Sequence, residues 1–270
     1  MTRAAIAITW IDSEMLSNAR VVLIRPHFAG NIGSVARVMR NFGLTQLTLV
    51  EPVADHLSQE ARQLSTHGEH LLDAAIVVPT LDDAVADCVC VVGTSASVEG
   101  GYRSRAFGRP DEVLQEIIVA LPAGPCALVF GPEPNGLSKA EVARCHGLIR
   151  IPTAADYSAL NLAQAVAICL YELRLQSLKE HGAATAPSQP VAPFAEQERM
   201  FASLREALEA VHFVWGTKGD SLMHAVRQLI VRARPSPNEV RILHGLARQL
   251  RWVAAHGTDK QPEDEEPIHG

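Results

Sequence analysis

The sequence predicts an α/β protein with a mostly parallel sheet, followed by a small all-helical C-terminal extension. From residue 21 to about residue 179, short apolar runs with strand propensity alternate with segments of helical periodicity. After a Pro/Ala/Ser-rich stretch at 182–193, only amphipathic helical segments remain. The chain of 270 residues, of which 47% are hydrophobic, is long enough for one large or two ordinary domains with their own cores.

These composition shifts predict the domain organisation. We expect a poorly ordered leader at 1–19 and a first domain at 20–181. A linker at 182–193 then leads to a helical extension at 194–257. An acidic tail at 258–270 ends the chain.

The individual elements follow from local pattern and from Gly and Pro breaks. Strands are predicted at 21–24, 47–50, 76–78, 88–92, 127–130 and 148–151. Helices of the first domain are predicted from residue 31, at 58–74, 81–86 and 111–121, from residue 138, and at 161–179. The extension is expected to hold helices at 196–214, 222–234 and 238–255, the last started by Ser236 and Pro237.

The stretch 128–172 organises the first domain. Its first strand breaks into a loop rich in Gly and Pro, and Ser138 then has a capping-box spacing to Glu141. Its second strand is followed by a polar loop and a helix from Asn161. Two parallel strand ends, each followed by a loop and a helix, place the backbone groups of both loops around one ligand.

A phosphate-binding loop is one interpretation of Gly131 and Gly136, which have the spacing of P-loop glycines. Leu137 follows where that loop needs Lys and then Ser or Thr, so the interpretation fails. No G-x-G-x-x-G follows a predicted strand, which leaves little support for a nicotinamide or flavin site.

Three sequence blocks carry a resemblance to a known family. They read GNIGSVARVMRNFGL at 30–44, FGPEPNGLS at 130–138 and YSALNLAQAVAICLYEL at 157–173. In this order they resemble the N-x-G-x-x-x-R, G-x-E-x-x-G-L and S-L-N blocks of the SPOUT superfamily of RNA methyltransferases, in its TrmH branch. The helical extension is similar to that of the anticodon-loop tRNA methyltransferases in that branch.

The resemblance implies a trefoil knot in the C-terminal part of the first domain and a bent S-adenosyl-L-methionine in loops beside it. Knots are almost absent from proteins, so this expectation rests on the resemblance alone. The cofactor-binding residues that it implies are Thr94, Ser95, Ala96, Gly131, Ile151, Ser158, Ala159 and Leu160.

Arg37 matches the functional arginine of the family. A guanidinium stays protonated at neutral pH, which makes it an awkward general base. We therefore expect Arg37 to hold a substrate phosphate and stabilise the developing alkoxide.

Support from three further residues is expected, and each has an alternative role. Asn31 either contacts the nucleotide or caps its helix, Glu133 either hydrogen-bonds across the site or caps helix amides, and Asn161 can cap the helix it begins. One departure from the family is Ala159, where the third block has Ser directly before Leu-Asn. Ser158 lies one residue early, so its hydroxyl does not simply replace the missing one.

The charge distribution favours RNA as a partner despite a net charge of −6. The tail 258–270 holds five acids and one base, whereas 218–251 holds seven bases and two acids. We expect an RNA-binding surface there, including Arg232 and Arg234; a solvated helix face is the alternative. Arg103, Arg105 and Arg109 lie in a long loop at 94–110 that is either functional or a disordered flap.

No metal and no membrane are expected. His67 and His70 have ligand-like spacing but no third ligand in the pattern, and no apolar run reaches the roughly 18 residues of a spanning helix. The five cysteines include no C-x-x-C pair, which indicates buried thiols in a cytoplasmic, reducing compartment.

The resemblance thus implies a cytoplasmic, homodimeric tRNA ribose 2′-O-methyltransferase, with the pyrimidine at position 32 of the anticodon loop as target. The apolar helix at 162–173 fits the subunit interface. One alternative is a ribose methyltransferase for rRNA or another tRNA position. Another is an RNA-binding relative with little or no turnover, suggested only by Ala159.

Overall fold

The computed structural model describes residues 15–95, 107–154, 156–180, 191–216 and 219–256. The chain divides into two compact units, Met1–Phe194 and Ala195–Gly270.

The first unit is built on a seven-stranded sheet in which every described pairing is parallel. The strand order is β3-β2-β1-β6-β4-β7-β5. The predicted α/β class with a mostly parallel sheet is therefore confirmed. The strands are β1 (Ala19–Ile24), β2 (Gln46–Val50), β3 (Ile76–Val78), β4 (Cys90–Thr94), β5 (Phe107–Gly108), β6 (Cys126–Phe130) and β7 (Gly147–Ile149).

Seven α-helices of the first unit are described, and they connect or follow these strands. Two predicted strands needed correction: β7 ends two residues earlier than predicted, and β4 begins and ends two residues later than the predicted 88–92. β5 was not predicted, because two residues are too few to show a period. The helices are α1 (Ala29–Phe42), α2 (Gln59–Ser65), α3 (Glu69–Asp73), α4 (Leu81–Val85), α5 (Pro110–Ala120), α6 (Lys139–Arg144) and α7 (Leu162–Glu180).

The single helix predicted at 58–74 is wrong, because a 3₁₀ turn at Thr66–Gly68 separates α2 from α3. At the break, Thr66 has a left-handed φ of 52°. Gly68 lies directly against α1, where an added Cβ would be 3.1 Å from the carbonyl carbon and oxygen of Ala36. Close packing on α1 therefore interrupts a segment whose local pattern is helical.

Both faces of the sheet are buried, as expected for parallel strands between helices. Along β1, Val21 and Leu23 contribute to the apolar cluster on one face and Val22 and Ile24 to the cluster on the other. All five cysteines are free and buried, as predicted. Burial raises the pKa of the thiols of Cys88, Cys145 and Cys169 to about 12.

The predicted leader and linker are both too long. Met15–Asn18 form a 3₁₀ helix with Leu16 fully buried, and β1 begins at Ala19, so ordered structure starts inside the predicted leader. At the other end, Phe194 is 1% exposed and its N–H donates to the carbonyl of Cys88 at 2.7 Å. Val191 is also buried in the apolar core of the first unit. Composition alone could not show that the end of a Pro/Ala/Ser-rich stretch packs.

The second unit contains three helices in its described residues. They are α8 (Phe194–Ala210, whose first residue belongs to the first unit), α9 (Gly219–Arg232) and α10 (Pro237–His256). The helix predicted at 196–214 ends earlier, at Ala210. The predicted start of the last helix is confirmed, since Ser236 Oγ accepts from the Glu239 N–H and the Glu239 carboxylate accepts from the Ser236 N–H.

Candidate functional site

A cavity of about 280 Å³ lies at the carboxyl ends of β4, β6 and β7. These strands are neighbours in the sheet, with β4 in the middle. The cavity wall comes from the ends of these strands, from the loops that follow them and from the start of α7. The lining residues are Thr94, Ser95, Phe130, Gly131, Pro132, Glu133, Pro134, Asn135, Gly136, Leu137, Ile149, Ile151, Ser158, Ala159, Leu160, Leu162 and Ala165.

The strand register brings these loops together. Thr94 at the end of β4 pairs with Ile149 at the end of β7, and Gly93 pairs with Val129 of β6. The Ser95 N–H then donates to the Ile149 carbonyl at 2.9 Å, which continues the ladder past β4. The starting points of the loops that line the cavity are therefore fixed by the core of the sheet.

The loop after β6 is folded tightly on itself at Gly131. A Cβ there would be 2.3 Å from the carbonyl carbon of Gly136 and from the nitrogen of Leu137. Gly136 has a left-handed φ of 65°, and its N–H donates to the Pro132 carbonyl at 2.8 Å. Gly131 is thus required by the closure of its own loop, so the space a side chain would take is occupied by protein backbone.

The capping box predicted at the start of α6 is confirmed. Ser138 Oγ accepts from the Glu141 N–H at 3.3 Å, and Glu141 Oε2 accepts from the Ser138 N–H at 2.7 Å. Arg25, just after β1, donates to the other oxygen of Glu141 at 2.6 Å. Burial alone would raise the pKa of Glu141, but the Ser138 and Arg25 hydrogen bonds lower it below its usual value. This pair ties the loop–α6 segment to the end of β1.

A chain of side-chain hydrogen bonds joins the cavity wall to α1. Asn31 Nδ2 donates to Glu133 Oε1 at 2.7 Å, and Asn161 Nδ2 donates to Asn31 Oδ1 at 2.9 Å. The remaining Glu133 oxygen accepts from the His27 N–H at 3.0 Å. The three residues predicted to support the site come from distant parts of the sequence, and the structure brings them together.

These contacts decide whether each of these residues caps a helix, while contact of Asn31 with the nucleotide stays a prediction. Asn161 caps α7, because its Oδ1 accepts from the Ala163 N–H at 2.9 Å. Asn31 is not a cap, since it lies inside α1, whose N-cap is Phe28. Glu133 hydrogen-bonds across the site to another element rather than capping the helix that follows it.

Arg37 lies on the exposed side of α1 and is not part of the cavity wall. A Cβ added at Gly68 would be 3.2 Å from the backbone nitrogen of Arg37. The Arg37 side chain makes no hydrogen bond or ion pair within the part of the chain that the structure describes. Within one chain, the predicted catalytic arginine and the predicted cofactor loops are therefore not brought into one cavity.

The residues predicted to bind the cofactor gather around this cavity. Thr94, Ser95, Gly131, Ile151, Ser158, Ala159 and Leu160 all line it, and Ala96 lies outside the described residues, as do Arg103 and Arg105. Sequence reasoning missed Leu137, Ile149, Leu162 and Ala165. Nothing in their apolar character distinguishes them from core or interface residues, and only the position of the strand ends could have shown that they face the cavity.

The chemistry of the wall favours binding and positioning. Glu133 is the one ionisable side chain among the lining residues, and the rest of the wall is backbone, apolar side chains and small polar groups. Such a wall suits an aromatic ring held by backbone hydrogen bonds next to a cationic group. Among the described residues no group of three His, Cys, Asp or Glu side chains could hold a metal ion. No helix in the same part of the chain is long and apolar enough to cross a membrane.

In the second unit, the arginines predicted to contact RNA lie at the end of α9. Arg232 is exposed and donates through Nε to the Gln228 carbonyl at 3.2 Å, and Arg234 is half-buried with a left-handed φ of 51°. Two other arginines of the same basic segment form ion pairs, since Arg227 pairs with Glu198 and Arg251 with Glu206. The count of basic residues therefore overstates the free positive charge.

Comparisons with known proteins agree with the architecture. Residues 18–171 match the model of the SpoU rRNA Methylase family, and residues 195–262 match the model described as the C-terminal domain of the tRNA methyltransferase TrmJ. The chain is 37% identical over 244 residues to the tRNA (cytidine/uridine-2′-O-)-methyltransferase TrmJ of Cronobacter sakazakii, an alignment that covers 87% of this chain and 97% of that one. Against the TrmJ of Escherichia coli K12 the identity is 37%, with coverage of 87% and 96%.

Solved structures of TrmJ and of a methylase family protein are also similar to this chain. The crystal structure of TrmJ from Z. mobilis superimposes with a TM-score of 0.71 at 30% identity, covering 86% of this chain and 98% of that one. A probable methylase family protein from Haemophilus influenzae gives a TM-score of 0.58 at 34% identity, with coverage of 88% and 97%. The family model spans the sheet, the cavity loops and α1 together, and this chain belongs to the SpoU methylase family.

Proposed function

We propose that this protein is a cytoplasmic, S-adenosyl-L-methionine-dependent tRNA ribose 2′-O-methyltransferase whose target is the pyrimidine at position 32 of the anticodon loop. The observation that supports this best is the cavity at the ends of β4, β6 and β7, linked to α1 through Glu133, Asn31 and Asn161. The tRNA part rests on the TrmJ relatives, which are named for cytidine and uridine methylation in tRNA.

The cavity residues fit the cofactor. The adenosine would be held by backbone groups of Ser95, Gly131 and Leu160 and by the apolar wall. These loops would belong to the trefoil knot expected of this family. Glu133, the one charged side chain among the described residues of the wall, would attract the positive sulfonium or ammonium end. When bound, the cofactor supplies an electrophilic methyl group, so the protein has mainly to align the ribose oxygen with it.

Arg37 is proposed to act on the RNA side. Its guanidinium would hold a substrate phosphate and stabilise charge that develops on the 2′ oxygen, since a protonated guanidinium is a poor base. The exposure of the side chain, and its lack of partners among the described residues, support availability for a substrate.

A homodimer would complete the site. Arg37 does not line the cavity of its own chain, and a second subunit would supply an arginine to it. The exposed Tyr171 and Ile168 of α7 provide apolar surface, and the Tyr171 ring packs edge-on against Phe42 of α1 at 6.3 Å. Light scattering should give twice the chain mass of 29.2 kDa. A fully active monomer would contradict this.

A second candidate is 2′-O-methylation of rRNA or of another tRNA position, which the description of the matching family model favours. A third is an RNA-binding relative with little turnover, since Ala159 lines the cavity where the family has Ser. Mass spectrometry of nucleosides separates the three. We expect one 2′-O-methylpyrimidine per tRNA, lost when position 32 is changed to a purine; methylated rRNA fragments alone, or no methylated product, would reject the proposal.

A further inference from the structure

A groove of about 390 Å³ in the second unit has no role in the site described above. It lies between the start of α8 and the first half of α10. Pro237 and Val240 give it an apolar floor, and three basic side chains and one acid surround it. The lining residues are Glu196, Arg199, Pro237, Val240, Arg241 and His244.

Three other arginines of this unit form internal ion pairs among its described residues. Arg205 pairs with Glu209 and Asp220, Arg227 with Glu198, and Arg251 with Glu206. Arg227 also lies over the Phe201 ring at 4.3 Å. These guanidiniums stabilise the helices against one another and have little capacity left for an external anion.

The groove arginines differ in this respect. Within the described residues, Arg199 has no hydrogen-bond or ion-pair partner, and Arg241 donates only through Nε to the carbonyl of Pro237 at 3.4 Å. Both side chains are exposed, and Glu196 forms no ion pair with either. Unpaired positive charge is therefore available at the groove, as it is at Arg232, Arg234 and Arg248, which also form no ion pair among the described residues.

The spacing of the basic groups favours a polyanion over a single small anion. Arg241, His244 and Arg248 follow one another at three- and four-residue intervals along one side of α10. At 1.5 Å per residue the row extends over roughly 10 Å. One strand of a nucleic acid carries a phosphate about every 3.4 Å along its axis, so a row of this length contacts more than one phosphate.

We propose that the groove between α8 and α10 binds backbone phosphates of the RNA substrate, through Arg199 and Arg241 with His244 and Arg248 beside them. This rests on the proposed function and deepens it, because it assigns a binding site on the extension in addition to Arg232 and Arg234. The planar guanidiniums fit phosphate oxygens with two parallel hydrogen bonds each. Contacts of this kind position RNA without reading its sequence.

The test is the salt dependence of tRNA binding by the full chain. Arg199→Ala/Arg241→Ala should weaken binding to unmodified tRNA by tenfold or more near 0.1 M salt. It should also lower the log-log salt slope by about 1.4 to 1.8, the value for two lost phosphate contacts. The matched control is Arg205→Ala/Arg251→Ala. It removes the same charge from the same unit, but from arginines that are already ion-paired. We expect its slope to equal that of the wild type.

Equal losses in both double variants would mean that only net charge matters, and an unchanged slope in the groove variant would exclude the contact; either result overturns the proposal. Circular dichroism melting must show both variants folded. The two alanine substitutions could still perturb α10. A third variant, Glu196→Gln, is therefore expected to change tRNA affinity in the opposite direction. Removing the one acid of the groove should tighten tRNA binding about twofold, and weaker binding would count against the site.

Two other outcomes are informative. If the wild type binds tRNA but methylates none, the proposed activity is rejected. The comparison of salt slopes then still decides whether the groove binds RNA phosphates. If the wild type binds no tRNA, both proposals are overturned. Loss of binding to anionic phosphatidylserine vesicles in the groove variant, with tRNA binding unchanged, would assign the groove to a membrane surface and reject RNA.

Discussion

The two units of the molecule present their candidate binding sites in different ways. In the first unit the cavity is made from backbone at three strand ends and from a polar chain of Asn31, Glu133 and Asn161, which are far apart in sequence. In the second unit the candidate site is a set of arginine side chains on helices. Ligand binding in the cavity depends on precise backbone geometry. Anion binding at the arginine surface depends on the number of charges left unpaired.

The difference predicts different responses to mutation. A cavity held by close backbone contacts loses its ligand-binding shape when one contact cannot form. The reason is that a close-packed interior cannot accommodate added atoms by small shifts. A phosphate-binding surface loses affinity in increments, since each contact contributes separately to counterion release. Substitutions should therefore have all-or-none effects near β6 and graded effects on α10.

The largest effect is expected at Gly131. In Gly131→Val the Cβ would have to occupy a position 2.3 Å from Gly136 and Leu137 backbone atoms, so the loop must open. Calorimetry should detect no S-adenosyl-L-methionine binding. The control is Gly136→Ala, where nothing lies within 4 Å of the added Cβ and only the φ of 65° is unfavourable, at about 1 kcal/mol. Normal affinity in the valine variant would refute the role assigned to this loop.

The second largest effect should follow from Arg37→Ala. If the guanidinium stabilises charge in the transition state, turnover should fall about 100- to 1,000-fold while cofactor affinity stays near that of the wild type. Arg37→Lys should recover little, because an ammonium lacks the planar fork. Arg40→Ala is the matched control, since Arg40 is also exposed on α1 and lies three residues away. Single-turnover methyl transfer measures all three, and equal rates for the Arg37 and Arg40 variants would contradict the assignment.

These two positions also show what the sequence can and cannot predict. The loop at Gly131 and the capping box at Ser138 were predictable because each depends on residues close in sequence. The contact that makes Gly131 necessary is set by how its loop closes, and the break at Thr66–Gly68 by packing against α1. Family blocks identified Asn31, Glu133 and Asn161 separately, but only the fold shows that they form one hydrogen-bonded chain.

The charged extension was the part least predictable from composition. The segment 218–251 contains a clear basic surplus, yet Arg227 and Arg251 have acidic partners on α8. Those partners lie outside the segment and could not be assigned by counting within it. Arg199 lies outside the segment too, and it was not recognised as a candidate because α8 as a whole is not basic.

Separating the two units sharpens the comparison. A chain that ends after Ala195 should bind S-adenosyl-L-methionine normally but bind tRNA at least tenfold more weakly. A chain that ends after Gly182 should also lose stability, because it lacks the buried Phe194 ring, which packs near His146 with ring centroids 6.1 Å apart. Deleting a buried Phe side chain costs roughly 3–5 kcal/mol. Binding assays and urea unfolding distinguish the two, and undiminished tRNA affinity in the longer truncation would remove the extension from the RNA site.

The smallest expected effect concerns pH and the ion pair that holds the cavity loop. Glu141 is partly buried and its pKa is lowered, so its pairing stabilises the fold above the pKa of about 4.5 that the unfolded chain has. That stabilisation is lost as the pH falls through the lower, folded-state pKa. Glu141→Gln keeps an acceptor for the Ser138 N–H but removes the charge that faces Arg25.

We therefore expect Glu141→Gln to lower the free energy of unfolding by about 1–2 kcal/mol at pH 6, and by progressively less as the pH falls through the lowered folded-state pKa and the wild-type carboxylate is protonated. The matched variant in the second unit is Glu206→Gln, which removes an exposed pair with Arg251. Exposed pairs contribute roughly 0–1 kcal/mol, so its urea midpoint should change little at either pH. A pH-independent loss in Glu141→Gln would mean that the side chain stabilises the loop by packing and capping alone, without its charge.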